Sequence, residues 1–233
     1  NNQFTNIPGS ICNLTSLDWS AEYIDLSYSY FYNNQFCPPY PGCIEDYVGE
    51  QDISNCDNSI AIELHEGSNL MSFSVLPEDN SVSNVLSDYN ISAIAGEGEA
   101  AINTDMGWVG SLTNILYENG YWLLLNEAGM LTLTGIPIDP DQQYALHAGN
   151  NLISYSLLDC GSIDEVLPDE VEECIYAIAG EGVAALSIDN GWVGSLSELC
   201  PDEGYWFVNI CDEITFTFEE PTGLARKQVQ NPS

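Results

Sequence analysis

Four carboxylates at repeated positions are the residues whose type and spacing best suit chemistry. Glu97 and Asp105 return 84 residues later as Glu181 and Asp189. Two carboxyl groups about 5–10 Å apart can serve as the acid and base of a glycosidase, and carboxylate oxygens also suit Ca²⁺, which takes about six to eight oxygen ligands. No basic or further polar residue is kept beside them in both copies. We therefore expect no enzyme activity, and predict these four as ligands of bound Ca²⁺, with no other cofactor.

The repeated aromatic and histidine residues are predicted to be structural. Trp108 and Trp192 are expected to pack in the core, and a sugar-stacking face is their alternative role. His65 and His147 are the only two histidines and occupy the same place in each copy, so we predict that each is hydrogen-bonded to backbone at the start of a strand. The Gly-Glu-Gly segment around Glu97 lacks the third glycine of a dinucleotide loop, and its carboxylate would repel a pyrophosphate. Nucleotide binding is excluded on these grounds.

All these residues belong to a module that occurs twice. The segment Gly-Trp-Val-Gly-Ser-Leu at residues 107–112 returns at 191–196, displaced by 84, and Gly-Tyr-Trp at 120–122 returns at 204–206. Residues 65–74 share a pattern with 147–156, displaced by 82. The two-residue slip falls near Asp88 and Glu172, in a predicted loop, where insertions are tolerated.

Charge narrows the classes of partner. The chain has 36 acidic and 2 basic residues, for a formal net charge of -34. Nucleic acids and anionic membranes would repel such a polyanion, and no apolar run is long enough to span a bilayer. The carboxylates must also repel one another unless they are screened, so we expect a salty medium or bound divalent cations.

The eight cysteines are predicted to form disulfides in an oxidising compartment, because their number is even and none lies in a CxxC pair. Four of them lie in the second copy only, where the first copy has residues such as Leu116 and Glu127. We expect Cys160 to pair with Cys174, and Cys200 with Cys211. The four N-terminal cysteines (Cys12, Cys37, Cys43 and Cys56) allow three pairings that the sequence does not separate.

Each copy is predicted to be a small β-rich α+β module. Alternating and continuous apolar runs predict strands, Ser before apolar residues predicts helix starts, and the last two strands of each copy are expected to form a hairpin. The predicted strands are 70–76, 91–95, 121–125 and 130–134 in the first copy, and 152–158, 175–179, 205–210 and 214–218 in the second. The predicted short helices are 81–86, 111–116, 162–167 and 195–199.

The first 56 residues contain a different repeat. Asn-Asn-Gln-Phe at 1–4 returns at 33–36, and Ile-Pro-Gly at 7–9 returns in part as Pro-Gly at 41–42. This resembles a leucine-rich repeat with an Ile-Pro turn, and Cys37, Cys43 and Cys56 resemble the cysteine-rich cap of such an array. The resemblance implies the end of a solenoid. The expected organisation is thus a repeat end and cap at 1–58, modules at 59–136 and 144–220, a linker at 137–143 and a linker tail at 221–233.

The two modules resemble a repeat of large exported surface proteins of marine bacteria, in which a strand such as Asn-Leu-Ile-Ser (151–154) precedes Gly-Trp-x-Gly-Ser-Leu and Gly-Tyr-Trp. The resemblance implies an extracellular, multidomain protein and assigns no reaction. Our hypothesis is a structural or adhesive surface module, within a self-assembling filament or sheath, that contacts copies of itself, other surface proteins or glycans. A carbohydrate-binding module is the alternative, and a glycoside hydrolase acting through Glu97 or Glu181 is the third hypothesis.

Overall fold

A computed structural model describes residues 11–12, 14, 36–37, 40–41, 43–44, 47–49, 51, 58–87, 89–189 and 191–221. Near the N-terminus, Cys12 and Cys43 form a disulfide with a Cα–Cα distance of 5.7 Å. Phe36, Ile44 and Val48 form a small buried cluster beside it. Most of the predicted leucine-rich repeat, including residues 15–35, lies outside the described residues.

The described chain from Ser59 onward is β-rich and is built from two copies of one strand arrangement. The first copy contains β1 (Ser59–Leu64), β2 (Gly67–Met71), β3 (Val75–Leu76), α1 (Val82–Val85), β4 (Ile91–Ala95), β5 (Ala100–Thr104), β6 (Gly107–Gly110), β7 (Tyr121–Leu125), β8 (Gly129–Thr134) and β9 (Ile136–Pro137). The second contains β10 (Tyr144–Leu146), β11 (Gly149–Ile153), β12 (Gly161–Ser162), α2 (Ile163–Val166), α3 (Asp169–Glu172), β13 (Ile175–Gly180), β14 (Val183–Ile188), β15 (Gly191–Gly194), β16 (Glu198–Leu199), β17 (Tyr205–Asn209) and β18 (Ile214–Phe216).

Each module is organised around an antiparallel five-stranded sheet. The strand order is β2-β7-β4-β5-β6 in the first module and β11-β17-β13-β14-β15 in the second. Alternate residues of the interior strand β7 point to opposite faces. Tyr121, Leu123 and Leu125 point into the core, and Trp122 and Leu124 point outward. Each module has its own hydrophobic core, within residues 64–133 in the first and 144–218 in the second.

The predicted hairpin at the end of each module is wrong. β7 lies between β2 and β4, whereas β8 pairs with β1, and β18 likewise pairs with β10. After β7, the backbone N–H of Asn126 donates to the carbonyl of Asn90, just before β4. The chain then leaves the five-stranded sheet, and β8 forms a separate two-stranded sheet with β1.

Two of the four predicted helices form, each as a single turn. α1 and α2 lie at the predicted positions, whereas residues 111–116 and 195–199 are not helical. The reason is that both segments are extended and bonded to other parts of the chain. The carbonyl of Thr113 accepts the backbone N–H of Val82, and Ile115 donates to the carbonyl of Asn80. In the second module, Glu198 and Leu199 form β16 and pair with β12. The second module adds α3 where the sequence repeat slips by two residues. Among the described residues, no helix is long and apolar enough to cross a membrane.

The predicted pairing of the second module's cysteines is also wrong: Cys160 is joined to Cys200, and Cys174 to Cys211. The sequence prediction joined neighbours along the chain, but the sheet brings distant segments together. Gly161 pairs with Leu199 in the β12–β16 ladder, which places the preceding Cys160 opposite Cys200. β13 begins beside the end of β17, which places Cys174 beside Cys211.

Candidate functional site at the module boundary

The repeated glutamates and histidines join the two modules through reciprocal contacts. His65 Nε2 lies 2.6 Å from Glu181 Oε1, and His147 Nε2 lies 2.6 Å from Glu97 Oε1. The second oxygen of each glutamate accepts a backbone N–H from an edge strand of the opposite module, Leu70 to Glu181 at 2.7 Å and Leu152 to Glu97 at 3.0 Å. Each Gly-Glu-Gly turn therefore binds the other module through both oxygens of its glutamate.

Each histidine is held by its own turn. The amide of Asn69 closes the turn from within: its Oδ1 accepts from the backbone N–H of His65, and its Nδ2 donates to the carbonyl of His65, both at 2.9 Å. Gly67, at a φ of 98°, completes this turn with a backbone conformation that favours glycine. The second module repeats the arrangement around His147 and Asn151. The predicted structural role of the histidines, bonded to backbone at a strand start, is confirmed.

The hydrogen-bond geometry favours the charged form of each imidazole. The Nδ1 of His65 lies 2.7 Å from the carbonyl of Glu66, so Nδ1 must carry the proton that it donates. If the ring were neutral, Nε2 would carry a lone pair that faces the carboxylate of Glu181, and the two acceptors would repel. A protonated Nε2 instead donates a hydrogen bond to that carboxylate. The pKa of His65 is raised above its ordinary value, first by the hydrogen bond to the Glu66 carbonyl and then by that to Glu181. The pKa of His147 is raised in the same way by the Ala148 carbonyl and Glu97.

Backbone contacts extend the same boundary. The N–H of Gly120 donates to the carbonyl of Leu152 at 3.1 Å, and that of Gly204 to Leu70 at 3.5 Å. A Cβ added at Gly120 would lie 2.8 Å from the carbonyl oxygen of Ile153, and one at Gly204 would lie 2.7 Å from that of Met71. The glycine of each Gly-Tyr-Trp segment is thus required by the neighbouring module.

An open acidic cavity of about 560 Å³ lies at one half of this boundary. Its polar lining includes His65, Glu181, Asp202 and Glu203. The Ser74 N–H donates to Asp202 Oδ1 at 3.1 Å, so this carboxylate also ties the second module to the first. The carboxylates of Glu181 and Asp202 therefore both bond to residues of the first module.

The four carboxylates predicted to hold Ca²⁺ do not come together as a group. Glu97 lies in the turn before β5 and Asp105 in the turn after it, at opposite ends of a five-residue strand that spans roughly 16 Å. The same holds for Glu181 and Asp189 around β14. Within the described residues, no group of three or more Asp, Glu, His or Cys side chains is arranged to hold a metal ion. The Ca²⁺ site remains a prediction that these positions do not support.

The two predicted sugar-stacking tryptophans face the core side of their sheets. Trp108 and Trp192 are half-buried and pack against the hydrophobic cores of their modules, as the prediction of core packing expects. Trp192 also donates from Nε1 to Glu172 at 2.6 Å. Trp122 and Trp206 lie on the opposite, outer faces of the sheets and are also half-buried.

The repeated Gly-Trp-Val-Gly-Ser-Leu segment forms a corner at the edge of each sheet. Gly107 has a φ of 100°, and a Cβ at Gly110 would lie 2.1 Å from the carbonyl oxygen of Ala100. That same oxygen accepts the N–H of Ser111 at 2.9 Å and that of Leu112 at 3.1 Å. The segment is therefore kept because it starts and ends an edge strand.

The outer faces of both five-stranded sheets are uncharged. None of the ten strands that build these sheets contains Asp, Glu, Lys, Arg or His, although the chain has 36 acidic residues. One row of outward-facing residues crosses all five strands of each sheet. The rows are Ser68, Leu124, Ala93, Ile102 and Val109 in the first module, and Asn150, Val208, Ala177, Leu186 and Val193 in the second.

Sequence reasoning missed the contact between modules. The available signal was that His65, Asn69 and Glu97 all recur, although the offset changes between the first two and the third. Recurrence of both a histidine and a glutamate in each copy is what two equivalent contacts between the copies would produce. Comparisons with protein-family models, with curated proteins and with solved structures found no match.

Proposed function

We propose that this chain is a structural module of an extracellular surface or secreted assembly. One observation carries the proposal: most of the polar side chains kept in both modules are engaged in building the module pair, whereas Asp105 and Asp189 are exposed. His65 and Glu181 connect the modules, Asn69 closes a turn, and Ser111 fixes the corner after β6. Selection on a duplicated catalytic or binding site would be expected to keep polar groups that point to solvent instead.

The extracellular setting is supported by the cysteines and the charge. Three disulfides are present among the described residues, and disulfides persist in oxidising compartments. A net charge of -34 suits a salty medium, where counterions screen repulsion between carboxylates. Two small modules joined by reciprocal His–Glu contacts are also a suitable building unit for a filament or sheath.

The proposal is tested by locating the native protein and observing its assembly state. Antibodies against the 233-residue chain should label cell-surface or secreted material in immunogold electron microscopy, and purified protein at seawater-like salt should form elongated assemblies. Label confined to the cell interior, together with a protein that sediments as a single chain at every salt concentration, would refute a structural role. Parallel samples with Ca²⁺ and with EDTA test the cation: equal assembly in both would reject a role for Ca²⁺.

A second candidate function, carbohydrate binding, is favoured by Trp122 and Trp206. Each lies on the uncharged outer face of a sheet. Across the strands each is flanked by a small alanine on one side, Ala95 or Ala179, and by a leucine on the other, Leu70 or Leu152. Aromatic faces of this kind can stack on sugars. Glycan-array binding that is lost in W122A and W206A, but kept in W108A and W192A, would support this function. Absence of glycan binding by the unmodified chain would reject it.

A further inference from the structure

We infer that the edge strands β6 and β15 are the surfaces through which one copy of this chain binds the next, by antiparallel strand pairing. The inference rests on the proposed structural function and identifies the contact that would build the assembly. β6 and β15 are the end strands of the two five-stranded sheets, each with one paired neighbour, β5 or β14. The opposite end strands, β2 and β11, are covered by the contacts between modules.

The two edges lack three of the features that normally prevent strand pairing. Proteins protect edge strands with charged side chains, prolines or bulges, or by keeping the strands very short. β6 and β15 are four residues long, but they share the uncharged sequence Gly-Trp-Val-Gly and are regularly paired with their neighbours. Val109 is 61% exposed and Val193 is 55% exposed. An uncharged edge with exposed valines is a template for adding another strand.

The two outward-facing rows, which are apolar except for Ser68 and Asn150 at their far ends, continue to these edges. Val109 is paired with Ile102, which is 60% exposed, and Val193 with Leu186, which is 46% exposed. Antiparallel sheets with one solvated face usually carry polar residues on that face. Pairing of two edges would place Val109 of one copy opposite Val109 or Val193 of the next and would join their apolar rows.

The identical sequences of the two edges argue for a second copy as the occupant, and charge restricts where that copy can bind. Most surfaces of two such chains repel one another, because each carries a net charge of -34, so two copies can come close only where charge is absent. The two five-stranded sheets, whose ten strands contain no charged residue, are such surfaces. Identical edge sequences also make antiparallel pairing self-complementary. Asp105 and Asp189 lie in the turns that precede β6 and β15, so salt is needed to screen their repulsion.

Two equivalent edges on each chain give an open assembly. A molecule with one edge could only form a closed dimer, whereas a molecule with two can bind a neighbour at each end. Whether β6 pairs with β6 or with β15, each added copy presents another edge, and the result is a chain of molecules unless the rotation between copies closes it into a ring.

The test uses the full 233-residue chain with Glu placed on both edges, V109E together with V193E. Both sites are exposed, so the substitutions are compatible with the fold, which is checked by circular dichroism. The control is M130E together with I136E, which adds the same charge at residues that are 53% and 60% exposed on β8 and β9, away from the two edges. All proteins are studied by sedimentation velocity and electron microscopy from about 10 mM to 1 M NaCl, because the Debye length falls from about 30 Å to about 3 Å over that range.

We expect the unmodified chain and the control to assemble as salt rises, and the edge variant to remain a single chain throughout. Assembly of the edge variant to the same extent as the control would overturn edge pairing and leave the structural function standing. An unmodified chain that never assembles would overturn both edge pairing and self-assembly. Loss of assembly in the edge variant and the control alike would show that added charge, rather than the edge, is responsible, and would also overturn the inference.

Discussion

The disulfide between Cys174 and Cys211 should supply a large part of the stability of the second module, because the first module has a hydrogen bond at the same place. The equivalent residues are Asn90 and Glu127, joined from Nδ2 to Oε1 at 2.6 Å. The backbone is the same in both copies, since Asn126 donates to the Asn90 carbonyl as Ile210 donates to that of Cys174. The two modules therefore have the same backbone at this place, joined by a disulfide in the second module and by a side-chain hydrogen bond in the first.

The expected magnitude follows from chain entropy. The disulfide joins residues 37 positions apart, and closing a loop of that length lowers the entropy of the unfolded chain by an amount worth about 3.8 kcal/mol at 25 °C. The Cys160–Cys200 link already shortens the path between the two cysteines, which reduces the figure to roughly 3.5 kcal/mol. A single hydrogen bond contributes about 0.5–1.5 kcal/mol.

The assay is urea unfolding of C174A/C211A and of N90A/E127A, each compared with the unmodified chain. Hydrogen exchange read by mass spectrometry assigns the loss to a module. C174A/C211A should lower the free energy of unfolding of the second module by about 3–4 kcal/mol. N90A/E127A also removes the hydrogen bond from Asn126 Nδ2 to Asn90 Oδ1, and should lower the free energy of unfolding of the first module by about 1–2 kcal/mol. Equal losses in the two variants, or a loss under about 1.5 kcal/mol for the cysteine variant, would refute the entropic reasoning.

Three further predictions follow from the same contacts. The variant N90C/E127C should close a disulfide in the first module without reducing the other links, and should raise that module's urea midpoint; free thiols detected after oxidative refolding would contradict this. G120A or G204A should lower stability by about 1–3 kcal/mol through overpacking at the module boundary, whereas G129A, whose Cβ would meet no atom within 4 Å, should be neutral in the same urea assay. Since the pKa values of His65 and His147 are raised from 6.5, their contribution to stability is fully present below pH 6.5 and is lost as pH rises through the raised values. The melting temperature should fall over this window in the unmodified chain and fall less in E97Q/E181Q, which removes the glutamate charges but keeps the hydrogen bonds to the Glu66 and Ala148 carbonyls; an equal fall in both proteins would contradict this.

The sequence predicted the local structure of the modules better than their pairing. The strands near 91–95 and 121–125 and the single helical turns after Ser81 and Ser162 follow from apolar pattern and helix-start signals, which depend on neighbouring residues. Strand partners depend on the path of the whole chain. The hairpin was predicted because β7 and β8 are close in sequence, yet β8 pairs with β1, which is more than 60 residues away.

The same distinction explains what was missed at the module boundary. The prediction that Glu97 and Glu181 bind a cation used their charge and their recurrence. Recurrence was equally compatible with a contact between copies, and only the coordinates bring Glu97 to His147, 50 residues away. The disulfides of the second module were mispaired for the same reason, because Cys200 lies opposite Cys160 only after β12 and β16 have paired.

The reciprocity of the boundary limits how the molecule can grow. Because His65 binds Glu181 and His147 binds Glu97, both halves of this contact are occupied within one chain, as in a two-fold symmetric dimer. Such a contact closes on itself and cannot recruit a further copy. Any assembly of intact chains must therefore use other surfaces. Among the edges of the two five-stranded sheets, those left uncovered are β6 and β15, which end in the same Gly-Trp-Val-Gly-Ser-Leu corner that the duplication has kept.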